Sequence, residues 1–328
     1  MIQTAFLGDA VLTTPLIAEL AKRGPVDVVA TPGAVAVLAN NPAVRVLIPY
    51  DKHGADGGLG GFARLAGRLR AAKYDAAFLA QQSVRSGALA LASGVRSRSG
   101  FATASGRMFY TERVAYRNDV HHAQRLLDLA GIASVAAPAP RLYPGIAERA
   151  AVDRLLSLND SPSEAPMIAL APGSVWATKR WPFFADVASA LGHDARIVVI
   201  GSTEDQALAK EVARAGGKPS INAAGALSLL ASAELIRRCR ALVTNDSSPQ
   251  HLAAAMGTPT LTLFGPTVPQ FGFGPLAPRS AALGHASLSC RPCDSHGPTK
   301  CPLGHWRCML ELSPAQVAQR VRDILSAT

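Results

Sequence analysis

The chain has 328 residues, 48% of them hydrophobic, with a formal net charge of +10. That length buries a substantial core and suits two domains rather than one. No apolar run approaches the roughly 18–20 residues of a membrane span, and "MIQTAFLGDAV" lacks the positive region and cleavage site of a signal peptide, so the expectation is a cytoplasmic protein.

Residues 2–7 read as a short buried strand, and a helical segment follows to about Lys22, interrupted at Pro15. Between them stands Gly8-Asp9. A carboxylate at a strand-to-helix turn caps the helix or serves as a base at the mouth of a cleft. Further strands fall at 26–31, 44–50 and 74–80, with helices at 34–40 and 60–73. From Arg64 to Arg117 ten Lys/Arg stand against two acids, Asp75 and Glu112. Such a bias favours an anionic partner: nucleic acid, anionic lipid or a phosphorylated substrate. In "QQSVRSGALALASGVRSRSGF" (81–101), Arg85, Arg96 and Arg98 either meet phosphates or carboxylates bidentately or are simply solvated. His121, His122 and Arg125 open a helical stretch. The histidine pair hints at metal, but no carboxylate stands at ligand spacing, so these residues read as structural or acceptor-side.

Around 140–165 the pattern loosens into "APAPRLYPG" and "LNDSPSEAP", a linker with a helical piece at 146–157 inside it. Alternation then restarts, with strands at 167–173, 196–202, 241–246 and 260–266. Helices at about 182–191, 204–215, 228–239 and 249–256 follow them. Ser313 and Pro314 start a last helix with Val317, Val321, Ile324 and Leu325 on one face. Strand–helix alternation on this scale predicts an α/β protein with two domains, each a helix-covered parallel sheet, facing a central cleft. The expected boundaries are 1–158, 159–312 and a C-terminal helix, 313–328, returning to the first domain.

Three strand ends of the second half carry the chemistry. In "LAPGSVWATKRWP" the Gly173-Ser174 amides and the Lys179 cation, just before a helix, suit a phosphate site, the alternative being a basic surface loop beside a core Trp. In "VTNDSSPQHLAAAMGTP" Ser248 reads as N-cap, Pro249 as N1 and His251 as N3 of a helix ended by Gly257. Asp246 beside that helix start suits hydroxyls of a ribose or sugar, the alternative being that Asn245 and Asp246 only form an Asx turn. "LFGPTVP" adds Gly265, Pro266 and Thr267 at the same sheet edge, where α/β proteins bind ligands. With no GxGxxG after the first strand and no GxxxxGK[ST], dinucleotide dehydrogenases and P-loop NTPases are disfavoured.

Four cysteines cluster as Cys290, Cys293, Cys301 and Cys308, with His296 and His305 among them. In a cytosolic chain such a set points to a structural zinc site or to reduced thiols. The segment lacks basic, aromatic-interleaved strands, which disfavours a nucleic-acid module. Cys239 lies in a helical pattern and reads as core.

"GDAVLTTP", "APGS…TKRWP", "TNDSSPQHLAAAMGTPTLTLFGPT" and "CRPC…CPLGHWRCM", in that order, resemble glycosyltransferase family 9, the ADP-heptose:lipopolysaccharide heptosyltransferases. The Cys-rich stretch is most similar to the heptosyltransferase II branch. The resemblance implies a GT-B fold of two Rossmann-like domains, acceptor on the first and nucleotide-sugar on the second. It maps the base onto Asp9, the donor-phosphate lysine onto Lys179 and donor contacts onto Asp246 and Ser247. Gly173, Ser174, Asn245, Ser248, His251, Gly265, Pro266 and Thr267 complete the expected donor side. Gly8, Thr13, Ser83, Arg85, Arg96 and Arg98 form the expected acceptor side. The chain departs from the family pattern with Ser248 where Gly is common and Gln250 where an apolar residue is common.

The implied reaction is inverting transfer of heptose from ADP-L-glycero-D-manno-heptose to the inner core of lipopolysaccharide. It would occur at the cytoplasmic face of the inner membrane, in peripheral contact with its anionic surface and without nucleic acid. An inverting transfer needs a base for the acceptor hydroxyl and positive charge for the departing diphosphate. Lys179 and the helix start at 247–251 supply that charge with no cofactor required, and no DxD-type acidic motif is present. The alternatives are a family member with another donor or acceptor, and a non-catalytic nucleotide-sugar- or nucleic-acid-binding protein.

Overall fold

The computed structural model describes residues 1–133, 136–159 and 165–326. The chain forms two compact units, Met1–Tyr143 and Pro144–Thr328. Most of the expected linker "LNDSPSEAP" lies outside the described residues.

The first unit contains β1 (Ile2–Gln3), α1 (Leu7–Leu12), α2 (Thr14–Ala21), β2 (Asp27–Ala30), α3 (Pro32–Leu38) and β3 (Val46–Pro49). It continues with α4 (Gly58–Ala71), β4 (Ala76–Leu79), α5 (Val84–Ala92), β5 (Ser97–Phe101), β6 (Glu112–Val114) and α6 (His122–Asp128). The second unit holds α7 (Ile146–Leu158), β7 (Met167–Ala171), α8 (Phe184–Leu191), β8 (Arg196–Val199), α9 (Gln206–Ala215) and β9 (Ile221–Asn222). Then come α10 (Leu229–Arg238), β10 (Ala241–Asn245), α11 (Ser248–Met256), β11 (Thr260–Phe264), β12 (Ala281–Gly284), α12 (Arg307–Leu310) and α13 (Pro314–Ser326).

Each unit builds one six-stranded parallel sheet. The orders are β3-β2-β1-β4-β5-β6 and β12-β11-β10-β7-β8-β9. Read from its own first strand, each has the 3-2-1-4-5-6 order of Rossmann folds, so the Rossmann-like α/β expectation holds in both halves. The order reverses direction at β1/β4 and at β7/β10, the crevices where such sheets bind ligands. In β10, Val243 sits opposite both Leu170 and Leu261. Helices cover both faces, so β7, β10 and β11 read as continuous buried runs. Each buried Val, Leu or Ile there contributes about 1.5–3 kcal/mol.

Two expected boundaries move. The helical piece at 146–157 packs as α7 on α10 and opens the second unit, so the division falls at Tyr143/Pro144 rather than at 158. The last helix packs on α8 and β10 through Val317, Val321 and Ile324, and it belongs to the second unit instead of the first. The interruption expected at Pro15 appears as a break at Thr13, which closes α1 and precedes α2.

Candidate active site

The second unit assembles its site at the β7/β10 switch point. Asn245, the last residue of β10, is wholly buried. Its amide donates to the Pro172 carbonyl at 2.8 Å, and its oxygen accepts from the Trp181 N–H at 3.1 Å. Asn245 therefore staples the Gly173–Lys179 loop to the neighbouring strand, and the alternative of an Asx turn gives way to this longer-range role. The staple brings Lys179 over Asp246, Nζ to Oδ2 at 2.7 Å. Asp246 also accepts from the Thr267 hydroxyl at 2.7 Å and from the Gln250 amide at 2.9 Å. Gln250 in turn accepts from Thr262 at 3.2 Å. Three loops of one sheet edge thus converge on a single carboxylate.

Helix α11 starts one residue earlier than the sequence suggests. Ser247 is its N-cap, Ser248 occupies N1 and Pro249 N2, so Gln250 falls at N3 and His251 one place further on. Ser247 makes no side-chain capping bond; its hydroxyl reaches back to the Asn245 carbonyl at 3.3 Å. Gly257 ends the helix in the left-handed region, φ 74°, as expected. His251 is buried beside Phe273, ring centroids 6.4 Å apart. The Ser174 carbonyl accepts from Arg180 Nε at 2.7 Å.

The Cys-rich segment folds against this edge. Arg291 donates to the carbonyls of Phe264 (2.9 Å), Gly265 and Thr267 (3.0 Å), and the Cys293 N–H reaches the Pro266 carbonyl at 2.8 Å. Gly297, at φ 88°, packs on Pro266, Thr178 and the Lys179 stem so closely that an added Cβ would lie 3.1–3.3 Å from all three. The segment therefore braces the Gly265-Pro266-Thr267 loop and lies against the Lys179 side chain. The four clustered cysteines are free thiols. Burial, and then the neighbouring thiols, push Cys308 up to about 11. Cys290 Sγ lies 3.9 Å from His305 Nε2. Among the described residues, however, no three His, Cys, Asp or Glu side chains converge as a metal-holding group. The thiols do not fit the expected zinc in this arrangement. Cys239 is buried against the Leu235 carbonyl, a core residue as read.

In the first unit Asp9 stands at the third position of α1, directly after β1 at the β1/β4 switch point. It is not the N-cap: that is Phe6, which has no side-chain cap bond. Asp9 is the acidic residue of the first turn, a position the helix dipole favours. Burial raises its pKa to about 6, opposed by a hydrogen bond from the Phe6 backbone. His122, at the start of α6, brings Nε2 to 3.9 Å from Asp9 Oδ1. Histidine 121 caps α6, its ring accepting from the Ala123 N–H at 3.1 Å, while Arg125 is buried against Tyr116 and the Asn118 carbonyl. Both act structurally.

The expected acceptor residues divide. Gly8 and Thr13 are buried in α1 and at its end, the Thr13 hydroxyl on the Ala10 carbonyl at 2.6 Å. Ser83 caps α5 on the Ser86 N–H. Arg85 donates to the Tyr50 hydroxyl at 2.6 Å and to the Gly58 carbonyl at 3.1 Å. Arg98 is occupied by the carbonyls of Phe109, Val95 and Arg96 at 2.6, 2.5 and 3.1 Å. Neither presents a free fork: Arg85 ties α5 to the connection between β3 and α4, and Arg98 supplies a donor to carbonyls flanking β5. Arg96 is exposed. A cavity of about 360 Å³ lies at the amino end of this sheet, lined by Ile2, Asp27, Arg45 and Tyr74, opposite the edge that carries Asp9.

Chemically, the first unit offers a half-buried carboxylate whose pKa is raised to about 6, and the second a cation and a helix start around a shared carboxylate. Sequence reading did not assign Gln250, Arg291 or the approach of His122 to Asp9. Gln250 was visible only as a departure from the family pattern.

The sequence model for glycosyltransferase family 9 (heptosyltransferase) matches residues 62–304. The chain is 31% identical over 301 residues to lipopolysaccharide heptosyltransferase 2 of Escherichia coli K12, covering 83% of each chain. It is 27% identical over 352 residues to the Salmonella typhimurium lipopolysaccharide heptosyltransferase 2, covering 99% of this chain and 98% of that one. Among solved structures, a glycosyl transferase of family 9 from Veillonella parvula superposes with TM-score 0.88 at 24% identity, over 100% of this chain and 96% of that one. Escherichia coli ADP-heptose lps heptosyltransferase II superposes with TM-score 0.80 at 24% identity, over 99% and 97%. These structural neighbours share the fold.

Proposed function

The chain belongs to glycosyltransferase family 9, and on that premise we propose that it transfers heptose from ADP-L-glycero-D-manno-heptose to the inner core of lipopolysaccharide, inverting the anomeric centre. Family membership sets aside the non-catalytic readings. In the proposed mechanism the first unit binds acceptor, and Asp9 takes the proton of the attacking hydroxyl. The observation that carries this is a carboxylate at a ligand-binding switch point whose burial raises its pKa to about 6. A base so tuned is ionised at neutral pH yet basic enough to share the proton in the transition state.

The second unit is proposed to bind the nucleotide-sugar. The departing diphosphate would lie at the start of α11 and draw Lys179 from Asp246. Gln250 and Thr267 would keep hold of that carboxylate, which is then free to receive sugar hydroxyls. The basic run from Arg64 to Arg117 supports a place at an anionic membrane surface, and no helix among the described residues is long and apolar enough to cross a membrane. A structural zinc would require the four thiols to draw together; one equivalent of zinc in protein purified without chelator would establish it.

The test is turnover of ADP-heptose with a heptose-deficient core acceptor. Transfer by the wild type, with loss of at least about a thousandfold in a folded Asp9→Asn, is expected. No transfer removes the substrate assignment, and near wild-type transfer by Asp9→Asn removes the base.

A further inference from the structure

We propose that the carboxyl edge of the first sheet is a docking surface for an anionic lipid bilayer. Leu59, Val84 and Met108 would enter the headgroup boundary, and Arg64, Arg107 and Arg113 would meet lipid phosphates. The inference rests on the membrane-facing part of the proposed function and names the surface responsible.

Single exposed apolar residues are ordinary; adjacent ones are not. Leu59 is 88% exposed, Met108 72% and Val84 50%. They open three successive connections at one end of the sheet: Leu59 at the start of α4, Val84 at the start of α5 and Met108 in the 3₁₀ turn after β5. Contacts join the three. Arg85, next to Val84, reaches the Gly58 carbonyl, next to Leu59, and lies over the Phe62 ring. On the other side, Gly106 packs so tightly on Ser83 that an added Cβ would stand 2.7 Å from its carbonyl. Met108 is thereby held alongside the start of α5.

Arginines predominate among the charges around this apolar group, with Asp56 and Glu112 beside them. Arg107 and Arg113 are exposed on the Met108 side, and Arg113 Nε donates to the Arg107 carbonyl at 3.1 Å. Arg64 stands on the Leu59 side, largely exposed although Asp56 approaches it at 3.8 Å. Apolar side chains ringed by arginines complement an anionic interface. A second copy of the same surface would instead oppose arginine to arginine. The patch shares its sheet edge with Asp9, so an acceptor anchored in the bilayer would present its sugar where the proposed base stands.

The experiment is co-sedimentation of the full chain with vesicles of phosphatidylglycerol and phosphatidylethanolamine, and with vesicles of phosphatidylcholine alone. Expected are binding to the anionic vesicles, a loss of about tenfold or more in Leu59→Ser/Met108→Ser, and loss of the anionic preference in Arg107→Glu/Arg113→Glu. Both variants should keep wild-type transfer to a detergent-dispersed acceptor and a wild-type melting temperature. No binding by the wild type, or equal binding by the variants, overturns the proposal. So does a lipid-free dimer that Leu59→Ser/Met108→Ser dissociates, since the patch would then face a second copy. Absence of heptose transfer would leave the vesicle result standing, so the two readings fail separately.

Discussion

Lys179 and Asp246 form a buried ion pair at 2.7 Å, joining the loop after β7 to the start of α11. The pair is asymmetric. Asp246 holds two further donors, Thr267 and Gln250, whereas Lys179 has Asp246 as its one ionic partner among the described residues. Desolvation makes an uncompensated buried charge expensive, so this asymmetry decides which partner the fold tolerates losing.

Asp246→Ala should therefore destabilise the second unit by about 3–5 kcal/mol, because it strands a buried ammonium. Lys179→Ala should cost less, about 1–2 kcal/mol, since two neutral donors remain on the carboxylate. Urea unfolding of the two variants orders them. Isothermal titration with ADP reads the separate role: Lys179→Ala should bind about tenfold or more weakly, and unchanged affinity would remove Lys179 from the phosphate site.

Gln250→Met restores the apolar type that the family pattern has at this position, and here it should cost about 1–3 kcal/mol. Asp246 and Thr262 both lose a buried partner in this variant. Pairing it with Thr262→Val removes the orphaned hydroxyl and should return part of that loss. Urea midpoints of the single and double variants check this; additive losses would show that Gln250 and Thr262 do not act together.

The sheets were legible because β7 is an unbroken apolar run and β10 and β11 are rich in Val, Leu and Thr, with Gly, Pro and Asn at their ends. Strand β5 was not, since "SRSGF" carries Ser and Arg where a buried strand carries Val or Ile. Its partners supply the polar matches: Ser99 donates to Glu112, and Arg98 to three carbonyls. The motif residues of the second unit were placed correctly at one edge. Their mutual bonds were invisible, because Lys179 and Asp246 lie 67 positions apart and side-chain pairing at that range leaves no periodic trace. Gln250 shows the same limit, being an oddity in sequence and a bridge in space.

Arg98 follows from this correction. Arg98→Ala should lower the urea midpoint by the equivalent of about 1–2 kcal/mol, as part-buried carbonyls lose a charged donor. It should leave the KM for acceptor within about twofold, since the guanidinium is already engaged with backbone. A large rise in acceptor KM with unchanged stability would return Arg98 to the binding surface.

Asp9 makes the sharpest pH prediction. Burial raises its folded pKa to about 6, above the ordinary carboxylate value of 3.8. The folded state then binds more protons than the unfolded state between those values, so ionised Asp9 destabilises the fold as pH rises through that window. A shift of this size corresponds to about 3 kcal/mol at most, and a fifth of the side chain is exposed, so a cost of roughly 1–2 kcal/mol is expected above pH 7. Asp9→Asn should thus be the more stable protein at pH 8 and lose that advantage below about pH 4, where the wild-type carboxyl is neutral in both states. The same ionisation should appear in catalysis as an acid limb of kcat/KM with an apparent pKa near 6. His122→Phe removes the ring that approaches Asp9 and should displace that limb by half a unit or more, about 0.7 kcal/mol, while a purely structural histidine would lower stability and leave the limb in place.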